Sequence, residues 1–431
     1  MQSVQSCCKK NPDKFIGLIN TLLNDNRILL TYPQAGMQGL LDAQRLDDAM
    51  HVLKRILDVI CNDVNSTERG FSLHSLLFAL NDIPKMDQIP EVVFQLLCNA
   101  LLNTKEPEED IHQEEKEVYN VGINQARGNA GYMLVECAKE DKYKEDIFRT
   151  IERIAGTASV YTRAAILLNM ATLNFLDKSR NVELFKKLMY DFNPRLMAMP
   201  IHNYNPLVYF VNYAVGELME FFSHAADCPE CYREQVIILW LAWTHNNRDK
   251  SIKVLLDKMC EKDQEARISL LNFLSTLGQR MNEDAICYIL HFMELQFDTP
   301  EMGKNCDNLF YHAKDWNDDI QRKIADAFVA SPVSKHKIQV FIEFLVSYAI
   351  RDPVQTLIWL NKILAGELPD DYFILNHVVD VLIQSYNGIK SFNHNNDQET
   401  LEHAMDLIDA IMKNRSNKYL ITNFINKLDN E

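Results

Sequence analysis

Cys228-Pro-Glu-Cys231 places two thiols at a spacing that metal sites and redox pairs both use. Ahead of a helix, such a pair could hold half of a zinc site or cycle between dithiol and disulfide. A zinc ribbon needs a second pair and a thioredoxin-like site needs βαβ surroundings, and the sequence offers neither. His202, His224, His245 and His291 fall on separate helices and turns, without the His-Glu-x-x-His spacing of a helical metal site, so they are expected to cap helices or face solvent. The acid pairs Asp47-Asp48, Asp318-Asp319 and Asp370-Asp371 could serve acid–base work in a closed helical toroid. Each, however, lies near an expected helix start, where the dipole and free N–H groups already favour an acid. No catalytic residue, cofactor or metal is therefore expected.

Aromatic residues are the stronger candidates for contact chemistry. Tyr204, Tyr209, Phe210 and Tyr213, together with Trp240, Trp243, Tyr311 and Trp316, crowd the middle of the chain. Tyrosine and tryptophan combine rigid apolar area with a polar tip, which enriches them in protein-binding hot spots. Most share helical stripes with Val and Leu and are expected in the core. Tyr204 and Trp316, in polar or turn surroundings, are the expected exceptions. The candidate protein-binding set is Tyr204, Tyr209, Tyr213, Trp243, Tyr311 and Trp316.

The elements that position these residues are helices. A chain of 431 residues with only 13 Gly and 13 Pro carries few strand-and-turn signals, and its length calls for two or three domains or an elongated array. Between Ile338 and Ile350, apolar residues recur at Phe341, Ile342, Leu345, Val346 and Ala349, the signature of one buried helical face. The same period predicts a helix from Leu207 to Phe222 and another through Leu401, Ala404, Ile408, Ile411 and Met412. Asn193-Pro194, Thr299-Pro300, Ser331-Pro332 and Asp352-Pro353 read as helix starts. The segment 104–117, with seven acids against two lysines, reads as a solvated linker between an N-terminal helical-repeat segment, 1–103, and a C-terminal array, 118–431. Residues 391–400 read as a polar loop.

A formal charge of −16 opposes phosphate backbones, so direct nucleic-acid binding is not expected. Scattered cysteines on apolar faces, such as Cys98, Cys137, Cys260 and Cys287, point to a reducing compartment. The start of the chain lacks the apolar stretch of a secretory signal, and the longest wholly apolar run, Val236 to Trp243, falls well short of the ~20 residues a membrane span needs. A cytoplasmic protein without a membrane partner is expected.

One element recurs. Arg127, Arg163, Arg233, Arg267 and Arg322 each stand near the first turn of an apolar-periodic helix, at intervals of about 36, 70, 34 and 55 residues by subtraction. A small residue a few positions on, as in Arg-x-x-Ala, lets the helix approach its neighbour. The guanidinium could then reach carbonyls or acids in the preceding repeat's loop and tie units together. The expected fold is all-α, an α–α superhelix of HEAT- or TPR-like helix pairs.

NQARGNAGYMLVECAKED, then VYTRAAILLNMATLNFLDKSRNVELFKKLM and PLVYFVNYAVGELMEFF, resembles the C-terminal helical-repeat sensor region of bacterial antiviral STAND NTPases, the Avs family. AKDWNDDIQRKIADAFVASP resembles a HEAT-like unit of that region, and ETLEHAMDLIDAIMKNRSNKYLITNFINKLDNE resembles its closing helices. The likeness runs from about Asn11 to the C-terminus and rests on the order of degenerate blocks. It implies a sensor that binds a phage protein, the large terminase subunit or the portal. Binding would let a central NTPase domain of the full-length chain oligomerise and switch on an N-terminal effector. No Gly-x-x-x-x-Gly-Lys-Ser/Thr occurs here, so the NTPase is expected outside these residues. A general HEAT/TPR-type scaffold for protein–protein contacts, unconnected with defence, is the alternative.

Overall fold

The computed structural model describes residues 2–24, 31–62, 72–105, 118–200, 206–294, 299–364, 371–392 and 402. Among these the chain is all-α, with α-helices linked by short 3₁₀ turns and no strand. Local chemistry explains the segmentation. Helix Lys144–Ile154 carries Glu145 and Asp146 in its first turn and Arg153 in its last, and it buries Ile147, Phe148, Ile151 and Ile154 along one face. The punctuating Asx, Ser and Thr residues act as N-caps. Thr299 accepts from the Met302 N–H at 3.2 Å ahead of Pro300, and Asn317 accepts from Ile320 N–H at 3.0 Å. Asp352 accepts from Gln355 N–H at 3.1 Å ahead of Pro353.

The chain divides into two compact units, Met1–Lys258 and Met259–Glu431. In the second, each helix packs on the one two places before it. Gln264–Ser275 meets Pro300–Asn308, which meets Gln339–Tyr348, which meets Tyr372–Phe392; Glu283–Glu294 meets Asp318–Ala330, which meets Pro353–Leu364. This alternation sorts the helices into two layers, with Phe310, Phe328, Phe341 and Trp359 buried in the unit's core. Ring centroids lie 4.7 Å apart for Phe310–Phe341 and 5.0 Å for Phe328–Phe341.

The first unit uses the same alternation around its middle. Glu91–Asn103 packs on Ala126–Glu136, which packs on Val160–Asn169, while Lys144–Ile154 packs on Lys178–Leu188. Absent side chains make the central contact close: a Cβ on Gly122 would run into the Tyr161 carbonyl oxygen, and one on Gly131 would press on Ile166 at 2.7 Å. Glu91–Asn103 and Ala126–Glu136, which flank the acidic segment on either side, thus belong to one unit. Most of that segment, 106–117, lies outside the described residues, as do the helix expected at Leu401–Met412 and most of the loop at 391–400.

The helix expected from Leu207 to Phe222 is a correction. The chain forms Pro206–Phe210, a turn, a 3₁₀ turn Gly216–Leu218, and then Met219–Ala225. Asn212 donates through its side chain to the carbonyls of Val208 (3.3 Å) and Tyr209 (3.2 Å), competing for the groups a continuing helix would use. Periodicity is blind to this break, because most apolar residues on both sides of it are buried.

The recurring arginines tie segments in different ways. Arg127 Nε donates to the Leu101 carbonyl at 2.8 Å, reaching back as expected. Arg163 reaches forward instead, to the Leu188 carbonyl and in a two-pronged pair to Asp191, each bond 2.8 Å. Arg322 also reaches forward, to Asp352 at 2.6 Å. Arg267 is buried and donates to the Cys260 carbonyl at 2.6 Å, within its own helical corner. Arg233 is 75% exposed, beside Glu234. A shared sequence signature therefore covers several distinct structural duties.

Candidate aromatic docking surface and apolar cleft

Tyr209 and Tyr213 stand exposed in the first unit and Tyr311 in the second, whereas Tyr204 lies outside the described residues. Trp243 and Trp316 are corrections, each only 4% exposed. Trp243 meets Trp240 edge-on at 5.3 Å. Trp316 turns inward near Phe310, its ring centroid 6.5 Å away, because the extended backbone closing the 3₁₀ turn Leu309–Asp315 aims it away from its polar sequence neighbours.

The most exposed large apolar side chain among the described residues was not among the expected ones. Phe175 is 87% exposed at the end of the 3₁₀ turn Met170–Phe175. Its neighbours tie the turn to the elements around it. Asn174 Oδ1 accepts from the Asn181 amide at 2.9 Å and from the Tyr213 hydroxyl at 2.6 Å. Asp177 caps the next helix through Arg180 N–H at 3.0 Å and pairs with Lys144 at 3.3 Å. Lys178 places its ammonium 5.3 Å from the Tyr213 ring centre. Tyr213 thus touches residues on both sides of Phe175, and burial beside Glu217 pushes its phenol up to about 12. The result is a pinned aromatic knob flanked by a tyrosine that stays protonated.

Wholly within the first unit is an apolar cleft of ≈ 30 Å³ walled by Leu167, Phe185, Met189, Leu196, Leu207 and Phe221, among others. Gln235 supplies polar character to the wall. Its Nε2 donates to the Met197 carbonyl at 2.7 Å, while its Oε1 is buried and receives no hydrogen bond from the described residues. The adjoining void is large enough for a water, the ordinary way a buried acceptor of this kind is satisfied.

The remaining sequence candidates are structural. The Cys231 thiol donates to the Cys228 carbonyl at 3.1 Å, and the Cys228 thiol to Glu230 at 3.2 Å; burial pushes both thiols up. Such thiols are poor nucleophiles and poor ligands. Asp47-Asp48 and Asp318-Asp319 sit in helical first turns, and Asp371 accepts from Phe373 N–H at 2.8 Å; Asp370 and His202 lie outside the described residues. His224 stacks on Phe192 at 3.9 Å. Among the described residues no three His, Cys, Asp or Glu side chains gather as a metal site, and no helix is long and apolar enough to cross a membrane.

No family model matches the chain, and no curated protein or solved structure matches it either.

Proposed function

We propose that this chain is the target-recognition part of an anti-phage STAND NTPase. In this reading it acts in the bacterial cytoplasm and binds a phage protein, the large terminase subunit or the portal. NTP hydrolysis and effector chemistry belong to other parts of the full-length protein, and the chain itself performs no catalysis. Recognition of a folded protein needs rigid apolar contact area on a stable scaffold, and the observation that carries the reading is Phe175, 87% exposed on a turn pinned through Asn174 and Asp177. Exposed aromatics on flexible loops lose ordering entropy on binding; here the turn that carries Phe175 is already held by the bonds of Asn174 and Asp177. The resemblance of the sequence blocks to Avs sensor regions supplies the class of target.

The test is co-expression of the chain with large terminase subunits and portals from a broad phage panel, followed by co-purification. Capture of a terminase or a portal by the wild type, and its loss with Phe175→Ala, is the expected result. Failure to capture either class across the panel would sink the reading and leave a general helical scaffold in its place.

A further inference from the structure

Helix Lys178–Leu188, which follows the Phe175 turn, begins with a charge of the wrong sign. The dipole and free N–H groups of a helix start favour an acid, yet the first turn holds none and Lys178 occupies the first position. Lys178 is exposed, its ammonium lies over the Tyr213 ring, and among the described residues no carboxylate forms an ion pair with it. Asp177 is taken by Lys144, and Glu217, near the Tyr213 phenol, does not pair with Lys178. A cation so placed costs the helix stability. The surroundings repeat the imbalance. Helices Lys144–Ile154 and Lys178–Leu188, with the cap Asp177, carry seven bases against five acids, in a chain of net charge −16. Each of those acids is matched: Glu145 and Glu152 by Arg180, Asp146 by Arg149, Glu183 by Lys186 and Asp177 by Lys144. Lys178 and Arg153 are left over. An unmatched cation beside an aromatic side chain 87% exposed is complementary to an apolar patch edged by carboxylates. The net charge of the chain argues against the other polyanion, a nucleic acid.

We propose that Phe175, Tyr213 and Lys178 dock an acidic patch of the recognised protein, with Phe175 against apolar side chains and Lys178 pairing with a carboxylate at their edge. The inference rests on the recognition reading and gives that contact its chemistry. Phe175 supplies the contact area; Lys178 sets the sign of charge the partner must carry.

Two capped peptides serve as probes, Asp-Glu-Leu-Leu-Glu-Asp and Lys-Lys-Leu-Leu-Lys-Lys, each labelled with fluorescein and followed by anisotropy. They share an apolar centre and differ in charge. Bulk charge alone would make this chain prefer the basic peptide. The wild type is expected instead to bind the acidic one at least about fivefold more tightly, the size of one exposed ion pair. Lys178→Glu should remove that preference and, by placing an acid at the helix start, leave the thermal midpoint no lower. Phe175→Ala should weaken the acidic peptide about tenfold. Lys335→Glu, the same charge change at an exposed site of the second unit, should leave binding within about twofold. Preference for the basic peptide, an affinity unmoved by Lys178→Glu, or an equal loss with Lys335→Glu would overturn the proposal. A midpoint lowered by Lys178→Glu would assign the lysine a structural role and overturn it as well. Tighter binding of an oligothymidylate than of the acidic peptide would overturn the choice of a protein partner. Peptide discrimination without terminase or portal capture would sink the recognition reading alone, and capture without discrimination would sink the docking surface alone.

Discussion

Asp307 and Phe341, 34 residues apart, are joined by a hydrogen bond of 2.8 Å from the Phe341 backbone N–H to the Asp307 carboxylate. The other carboxylate oxygen accepts from Val340 N–H at 3.1 Å. Helix Gln339–Tyr348 has no cap from its own Ile338 side chain, so a carboxylate from helix Pro300–Asn308 does that work across the layer.

This carboxylate is wholly buried, and desolvation raises its pKa despite the two backbone donors. An acid whose folded pKa exceeds its unfolded value favours the fold most when protonated. Its contribution is fully present below the unfolded pKa and is lost as pH rises through the folded one. The thermal midpoint of the wild type should therefore fall relative to that of Asp307→Asn as pH is raised through the acid range. A difference between the two proteins that stays constant with pH would refute this.

The arginines of the repeated element should differ sharply in their worth. Arg163→Ala removes a buried cation from a two-pronged pair and a carbonyl contact, and is expected to destabilise the first unit by about 3 kcal/mol. Arg322→Ala and Arg233→Ala, at exposed positions, should each cost no more than about 1 kcal/mol. Urea unfolding of the three variants measures the order.

Gly122→Ala should destabilise the first unit by about 1–3 kcal/mol, because the new methyl meets backbone that cannot swing aside. Gly156→Ala, with open space around it, should be neutral or stabilising by a few tenths of a kcal/mol. Matching midpoints for the two variants would show that the central helices separate more readily than their contact implies.

Thiol labelling at pH 8 should divide the cysteines by burial. Cys7 and Cys287 are exposed and should react with a maleimide within the native protein. Cys137, Cys231 and Cys306 should react only after unfolding, the Cys306 thiol being pushed up to about 12 by burial. Mass spectrometry of digests made before and after denaturation reads the outcome.

Trp243→Ala and Trp316→Ala should each cost about 3–5 kcal/mol as losses from the core. Phe175→Ala, Tyr209→Ala and Tyr311→Ala should leave stability within about 0.5 kcal/mol. Calorimetry separates the two groups before any binding is measured.

The helices were legible where one face is buried and the other is wet. The stripe between Ile338 and Ile350 became helix Gln339–Tyr348, and the Thr299-Pro300 and Asp352-Pro353 signals became caps. Legibility failed between Leu207 and Phe222 because the buried residues keep a helical spacing through the break, while the side-chain bonds of Asn212 that accompany it leave no mark in that period. Trp316 misled because polar neighbours in sequence say nothing about the direction a turn gives its side chain. Phe175 was hidden within Leu173-Asn174-Phe175-Leu176, where the phase of a 3₁₀ turn decides which apolar residue faces out. Gln235, two residues after Arg233, carries no mark in the sequence, and its bond to the Met197 carbonyl exists only through contacts made in three dimensions.

The every-second-helix packing of the second unit sets a rule for how this chain can change length. Removing one helix would move every later helix to the opposite layer, with its apolar stripe turned to the wrong side. Removing two consecutive helices would return each survivor to its own layer. Insertions and deletions that this protein tolerates should accordingly come in even numbers of helices, so the unit of growth is the hairpin.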